Sequence, residues 1–548
     1  MFRLRQTSTL SGISARVCVA ALLAFLLCFT APAQVSSGSL SGVVTDSTGA
    51  VVPGAKVVLT NQATNATRDT ISNGSGNFNF AAVQPAMYTV TVSAAGFNTW
   101  EEKDIQFNQA ASINLPNIVL QLGATRQQIE VVSGADVIVP TDNGQSSQTL
   151  NTHMINELAI QGRDAAELIK IMPGMGINRG LGQSEFSSLV TQNNSGPIGS
   201  FSAQGTQPYG GMTMTMDGAN LLDPGNQGTQ TANINQNQIQ EVTYLDNAMS
   251  AEFAKGPVTF QAIGKSGSSQ FHGSAYFYAR NGTFNSEDAF LRSQGVKAAD
   301  DAYYYPGGDL GGPVLLPFTS YNKNHDKLFF YAAYEYMNQN PEGNLIQLFV
   351  PTPEMMAGNF SPAYLASLGS NIKNGPFSWA VTPPCQNGCT ATPGGDKTVF
   401  YPGGMIPPAA LDPNSAALYS TMPKPNVDPA TNPEGADFQY LVKQPVNRWE
   451  LRLRGDWNLS ERTKVYFSWN RQDELDLNPI SIWWGTGHDL PYPSSMPANQ
   501  VSQVYSANVT HVFSPTLTNE FVYSQAKFLN PIGLADPSPS TLRRSGSR

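Results

Sequence analysis

Histidine, cysteine and acidic side chains are the groups here that could do chemistry, and their spacing argues against it. The five histidines, His153, His272, His325, His488 and His511, stand far apart in the chain. None lies in an H-E-x-x-H arrangement, which sets two imidazoles on one helix face around zinc. Of the four cysteines, Cys18 and Cys28 stand near the N-terminus, and Cys385 and Cys389 share a Pro/Gly-rich stretch. The second pair lacks two further ligands at zinc-site spacing; in an oxidising compartment it would close a small disulfide-stapled loop. Gly264-Lys265-Ser266 has the ending of a phosphate loop, but Thr259 stands where its first glycine is needed, so no backbone cradle forms. Gly174-Met175-Gly176 with Gly180 misses the dinucleotide spacing by one residue, and no G-x-S-x-G is complete. Asp217, Asn220 and Asp223 could ligate calcium weakly or serve as turn-forming Asx residues. The residues therefore predict no enzyme, no cofactor and no metal centre.

The elements around these residues read as strands behind an export signal. Arg3, Arg5 and Arg16 flank an apolar run from Val17 to Phe29 that is too short to span a bilayer. Ala31-Pro32-Ala33 then offers cleavage between Ala33 and Gln34, which makes residues 1–33 a signal peptide. No later apolar stretch is long enough for a transmembrane helix, leaving periplasm, secretion or an outer-membrane barrel. At 548 residues the chain should hold two or more units. Its formal charge of −9 and lack of a basic stripe exclude nucleic acid as a partner. Aromatic residues make up 10% and sit beside small polar ones, as suits strands between lipid and water.

Residues 34–122 read as a β-sandwich. Short β-prone runs (Gly42–Thr45, Lys56–Leu59, Phe78–Phe80, Tyr88–Val92) alternate with turns at Ser47–Gly49, Pro53-Gly54, Asn73–Gly76 and Gln84–Ala86. Ser41–Asp46, Gly49–Ala55, Gly76–Phe78 and Ala94–Phe97, in this order, resemble the carboxypeptidase regulatory-like domain. The resemblance implies a seven-stranded sandwich of the carbohydrate-binding-like type without catalytic residues; the zinc ligands of a carboxypeptidase have no counterpart.

Residues 123–265 change character. In Asp164–Met172, Ala165, Leu168, Ile169 and Met172 fall on one face of an amphipathic helix that Pro173-Gly174 ends. The motif Gly162-Arg163-Asp164 through Pro173-Gly174, with Asp217-Gly218 after Met214–Met216, resembles the plug of TonB-dependent outer-membrane receptors. With Ile239–Val242 and Ala251–Phe253 it is similar to the Oar-like subgroup, whose members carry the same sandwich in front. The tract from Thr191 to Gln240 is expected to be plug loops. Pro257 and Phe260–Ile263 depart from the polar Gly/Asn/Thr run usual in that family. The resemblance makes Gln128, Ile129, Glu130, Val131 and Val132 a candidate TonB box, a segment that adds as a strand to the energy-coupling partner. A last sandwich strand or a linker strand is the competing reading of the same five residues.

Residues 266–548 carry the barrel pattern. Arg448, Glu450, Arg452, Arg454 and Asp456 alternate with Trp449, Leu451, Leu453 and Trp457; after a turn at Ser460–Arg462, Val465, Phe467 and Trp469 alternate with polar neighbours. Such a hairpin has one face for lipid and one for water. Phe271–Arg280, Leu328–Tyr336, Val501–Val512 and Leu517–Ser524 repeat it. Motifs of the Oar-like pattern continue through Lys265–Gly267, Gly307–Val314, Val350–Thr352, Ile406–Pro408 and Ser514–Leu517. The expected fold is mainly β: a sandwich, an α+β plug, then the N-terminal part of a transmembrane antiparallel barrel. Barrels of this kind close at about 22 strands, so the chain is expected to be part of a longer one. The expected location is the outer membrane, with lipid, the TonB complex and an extracellular ligand (oligosaccharide, peptide or ferric chelate) as partners. The competing readings are a surface-structural or adhesion protein without energised transport, and a periplasmic carbohydrate-binding protein.

Overall fold

The alternation of β-prone runs and turn signals from Ser39 onward becomes a two-sheet sandwich in the computed structural model. The structure describes residues 37–109, 111–123, 128–132, 146–158, 160, 162–177, 201–203, 211–225, 230–247, 258–284, 302–340, 344–368, 404–411, 413, 420, 422–432, 435–442, 445–478, 496–514, 517–531 and 533. Ala33, Gln34, Cys385 and Cys389 lie outside these.

The sandwich strands are β1 (Gly38–Asp46), β2 (Lys56–Asn61), β3 (Thr67–Ile71), β4 (Asn77–Val83), β5 (Ala86–Ser93), β6 (Thr99–Phe107), β7 (Ser112–Leu120) and β8 (Gln128–Val132). They form the sheets β4-β1-β7 and β3-β2-β5-β6-β8. Alternation puts Tyr88, Val90 and Val92 inside with Val57, Leu59, Phe78, Phe80, Trp100 and Phe107. Each large side chain so buried contributes about 1.5–3 kcal/mol. Gly76 has φ +74°, and a Cβ there would lie 2.7 Å from the Val44 carbonyl oxygen, so the turn into β4 requires glycine. The four runs expected as strands fall in β1, β2, β4 and β5. β3, β6 and β7 were not anticipated: charged residues blur the alternation in β3 and β6, and Pro116 interrupts β7.

A second unit is built on β9 (Ser146–Asn151), β10 (Met175–Ile177), β11 (Phe201–Ala203), β12 (Met212–Met216), β13 (Ala219–Asn220), β14 (Ile239–Asn247) and β15 (Val258–Gly264), with the short helix α1 (Thr152–Glu157). Its main sheet has the order β13-β12-β15-β14-β9. All seven residues of β15 and all five of β12 are buried, as befits parallel neighbours covered on both faces. This explains the apolar Phe260–Ile263 run that departed from the family pattern. The Thr191–Gln240 tract is not simply loops, because β11, β12 and β13 lie in it; the Met/Thr alternation of β12 is a buried strand with threonines inside the sheet. The expected α-helix is a 3-10 helix, Ala165–Ile171. Asp164 caps it by accepting from the Ala166 amide at 2.8 Å, and Met172, before Pro173, is extended with ψ 143°. A segment confined to two turns between a cap and a proline takes the tighter helix. The expected apolar face is nonetheless the buried one: Ala165, Leu168, Ile169 and Met172 join Val242, Tyr244, Val258 and Phe260 in one core.

The third unit is an antiparallel wall. Its strands are β16 (His272–Asn281), β17 (Ala302–Pro313), β18 (Leu328–Asn340), β21 (Val446–Ser460), β22 (Thr463–Asn478), β23 (Met496–Ser514) and β24 (Leu517–Leu529), in the order β16-β17-β18-β21-β22-β23-β24. A separate antiparallel pair, β19 (Asn344–Leu348) and β20 (Phe438–Val442), stands in the connection between β18 and β21. All six anticipated dyad segments are strands here. β17 was missed as a strand because its Gly-rich sequence lacks a side-chain pattern; a Cβ on Gly308 would lie 2.8 Å from the Ser274 carbonyl oxygen of β16, so the close approach of the two strands accounts for that glycine.

The wall is polar inside and apolar outside. Register sets Leu453 opposite Trp469 and Trp457 opposite Val465, and Phe467, Phe521 and Tyr523 are exposed. Arg448, Glu450, Arg452, Ser468, Glu474, Ser502, Ser506 and Asn508 are buried. A water-soluble sheet has the opposite distribution, so the outer face belongs to lipid. The polar face was expected to line a lumen that holds water and a separate folded segment; along the second unit it meets that segment.

Candidate functional site

Where the wall faces the central sheet, the contact is a seam of charged and hydrogen-bonded groups. Its centre is Asp217, at the turn between β12 and β13, where it holds φ +48° and Gly218 holds φ +79°. Aspartate and glycine are residues that tolerate this left-handed conformation. One Asp217 oxygen accepts from Arg452 Nη2 of β21 at 2.7 Å and from Ser468 Oγ of β22 at 3.2 Å. The other accepts from the Gly264 amide at 3.0 Å and faces Arg454 Nη1 at 3.5 Å. Burial alone would raise this carboxyl, but the two guanidiniums outweigh it and hold Asp217 at about 2. The turn's carbonyls are held as well: Ser506 Oγ of β23 donates to Asp217 O at 2.6 Å, and Ser524 Oγ of β24 to Gly218 O at 3.2 Å.

A second cluster gathers around the 3-10 helix. Arg163 has φ +64° and is buried. Its Nη2 donates to Glu335 Oε2 of β18 at 2.9 Å and to Asn237 at 3.0 Å. Its guanidinium lies 4.1 Å from the ring centre of Tyr278 and 5.3 Å from that of Tyr276, both in β16. Such stacking favours the planar arginine head over lysine. Asp164 points the other way, into the central unit, accepting from Gln230 at 2.7 Å; burial pushes it up to about 7. Between the clusters, Asn233 and Asn235 donate to the two oxygens of Glu450 at 2.7 and 3.1 Å. Arg448 bridges Glu450 and Glu474 at 2.9 Å each.

The motif residues thus separate by role. Arg163 and Asp217 reach the wall, Asp164 organises the central unit, Gly162 is buried beside them, and Pro173 and Gly174 are exposed at the helix end, Gly174 with φ +77°. Asn220 and Asp223 accept from the amides of Leu222 and Gly225. With Asp217 taken by guanidiniums, the turn-forming reading of this trio is the one that describes them. Sequence reasoning missed Glu335, Asn233 and Asn235. Five charges in one row of β21 were the available signal, because so many on one strand face need partners across from them.

The candidate box lies elsewhere. Gln128–Val132 pairs in parallel with Thr99–Lys103 as the edge strand of the sandwich. The sandwich itself sits at the end of the wall that carries the tight Glu461-Arg462 turn, where a cleft is lined by Arg68, Thr70, Glu461 and Arg462. It also touches the central sheet, for the Gln109 amide donates to Glu241 Oε1 of β14 at 2.7 Å. Burial raises Glu241 to about 8.

Comparison with known proteins accords with this architecture. Residues 263–543 match the family described as outer membrane beta barrel domain, and residues 39–121 match the carboxypeptidase regulatory-like domain. The TonB-dependent transporter Oar of Myxococcus xanthus is 24% identical over 323 residues, covering 56% of this chain. The chain spans 27% of that curated relative's length. Among solved structures, the siderophore receptor PirA from Acinetobacter baumannii is 11% identical with a TM-score of 0.37, covering 70% of this chain and 40% of its own. The outer membrane transporter YddB from Escherichia coli is 9% identical with a TM-score of 0.37, covering 67% and 37%. With just over half of its residues matched, the chain belongs to the outer membrane beta barrel domain family, and its place is the outer membrane.

Proposed function

We propose that this protein is a TonB-dependent receptor that imports a bulky ligand by remodelling a plug. In this reading residues 123–265 are linker and plug, residues 266–548 belong to the barrel, and Gln128–Val132 is the box that a TonB partner grips. The carrying observation is the polar seam. The central unit has its own apolar core, built from Met214, Leu168, Val242 and Phe260, and meets the wall largely through hydrogen bonds and ion pairs. Were the contact apolar, separating the two would expose greasy surface at about 25 cal/mol per Å². A polar contact can exchange its partners for water, at a net cost of about 0.5–1.5 kcal/mol per neutral hydrogen bond. A plug held this way is firmly placed when dry and displaceable once water enters. A charged, polar lumen face left behind is also suited to a path for a hydrophilic ligand.

The test is binding of the purified periplasmic domain of TonB to the protein in detergent, with and without residues 128–132. Binding to the intact protein and its loss on deletion, with trypsin resistance of the wall kept, is the expected result. Equal binding to both forms sinks the box; no binding to either leaves the surface-structural reading in possession.

A further inference from the structure

The place of β8 carries an inference that rests on the box reading and goes beyond it. We infer that the sandwich stows the box: β6 and the TonB partner compete for the same backbone edge, so β8 must leave the sandwich before force can reach the plug.

Four observations support the exchange. First, β8 lies at the sheet edge with β6 as its neighbour, in a parallel register of five residues from Thr99↔Gln128 to Lys103↔Val132. Parallel pairing is slightly less stable per residue than antiparallel, and five residues offer few bonds to break. The described register ends at Lys103, one residue before Asp104, where the backbone of β6 has φ +60°. Second, β6 has its own anchors: it pairs with β5, and Trp100, Ile105 and Phe107 are in the sandwich core. It stays in place when its neighbour departs. Third, strand addition is how an extended segment binds an exposed sheet edge. A segment already fitted to one edge has the extended shape a second edge requires. Fourth, residues 133–145 separate β8 from β9, the edge strand of the central sheet, paired with β14. Thirteen residues reach about 45 Å when extended. Chain order places β8 ahead of β9 in the line of pull. The sandwich then acts as a holder that keeps a sticky edge segment occupied until the partner arrives.

A disulfide staple tests this. Glu101 and Glu130 are register partners, so the full-length protein carrying E101C and E130C can be oxidised to hold β8 on β6. Binding of the periplasmic domain of TonB is measured on oxidised and reduced protein. Oxidation is expected to weaken binding at least tenfold, and a reductant to restore it; the restored form also shows that the variant folds. Hydrogen exchange on the unsubstituted protein supplies the second readout, with the amides of Thr99–Lys103 losing protection when the domain binds. Equal binding by stapled and reduced forms, or unchanged protection of Thr99–Lys103, overturns the exchange and leaves the box intact. Absence of binding by the unsubstituted protein removes the box reading and the exchange with it.

Discussion

Removing Arg452 and the Asp217 charge together should loosen the central unit little more than removing Arg452 alone. Arg452→Met takes away the 2.7 Å partner of a buried carboxylate. Breaking one side of a buried pair costs about 3–5 kcal/mol. The lower end applies here, because the Gly264 amide and Ser468 hydroxyl remain on Asp217 at 3.0 and 3.2 Å and Arg454 at 3.5 Å. The pKa gives a separate measure. Asp217 is lowered from 3.8 to about 2, which corresponds to about 2 kcal/mol of seam stability. For a depressed acid this is present above pH 4 and lost as pH falls toward 2. Asp217→Asn keeps the left-handed backbone conformation that asparagine tolerates but strands Arg452, whose Nη1 retains Asn470 at 3.0 Å; it should cost a similar amount. The double variant has neither charge to strand, so the two losses should overlap by about 2–3 kcal/mol. A urea series read by trypsin cleavage within residues 146–264 reports plug release, and midpoint shifts convert to free energies. Additive losses, or single variants within about 0.5 kcal/mol of the parent protein, would show that the seam is not what holds the plug.

Other perturbations address separate parts of the molecule. Glu241 is raised to about 8 and Asp164 to about 7 by burial; both bind a proton more tightly when folded, so stability should fall as pH rises from about 4.5 to 8. Glu241→Gln should remove roughly half of that slope, and an unchanged slope between pH 5 and 8 in the urea series would contradict the assignment. Arg163→Lys keeps the charge but loses the planar fork on Glu335 and the stacking on Tyr278; plug release should ease by about 1–2 kcal/mol, with the wall's own trypsin resistance unaffected. Gly174→Ala, at φ +77°, should cost about 1 kcal/mol, read as a lower urea midpoint for the same segment.

What the sequence made legible was whatever repeats at short range. The β21–β22 hairpin could be read because alternation of Trp449, Leu451 and Leu453 with arginines and glutamates needs no knowledge of distant neighbours. Its direction was legible too, since tryptophan and phenylalanine on the one side require lipid. What that polar side meets depends on residues more than two hundred positions away, as Asp217 is from Arg452, and periodicity carries no such information. The 3-10 helix illustrates a middle case: the buried set, Leu168, Ile169 and Met172, was readable, while the helix type was decided by confinement between Asp164 and Pro173. β8 lies at the far extreme. Five β-prone residues announce a strand, but a strand's partner is chosen by whichever edge is open, and that edge, at Thr99–Lys103, is made by the folded sandwich.

These two attachments, β8 on β6 and the plug on the wall, share a physical design. The seam is largely hydrogen-bonded and β8 pairs with β6 along one sheet edge, so each can be undone with water or another strand supplying the replacement bonds. They differ in direction of release. An edge strand can be peeled one pair at a time, each step breaking little, whereas the Asp217 and Arg163 clusters bind the central unit to β18, β21, β22, β23 and β24 at once. Force applied along the chain should therefore empty the sandwich edge before it strains the seam. Moreover, β9 is itself an edge strand, paired with β14, so the next element to yield lies inside the central sheet, ahead of Arg163 and Asp217 in the line of pull. If the central unit is the proposed plug, partial unfolding from β9 inward, with the seam clusters last to part, is the order expected under load. Cysteine pairs across β9 and β14, at Thr149 and Thr243, whose hydroxyls lie 2.9 Å apart, should then block transport when oxidised while leaving capture of β8 by TonB unimpaired. Transport that continues through such a staple would mean that the plug leaves whole.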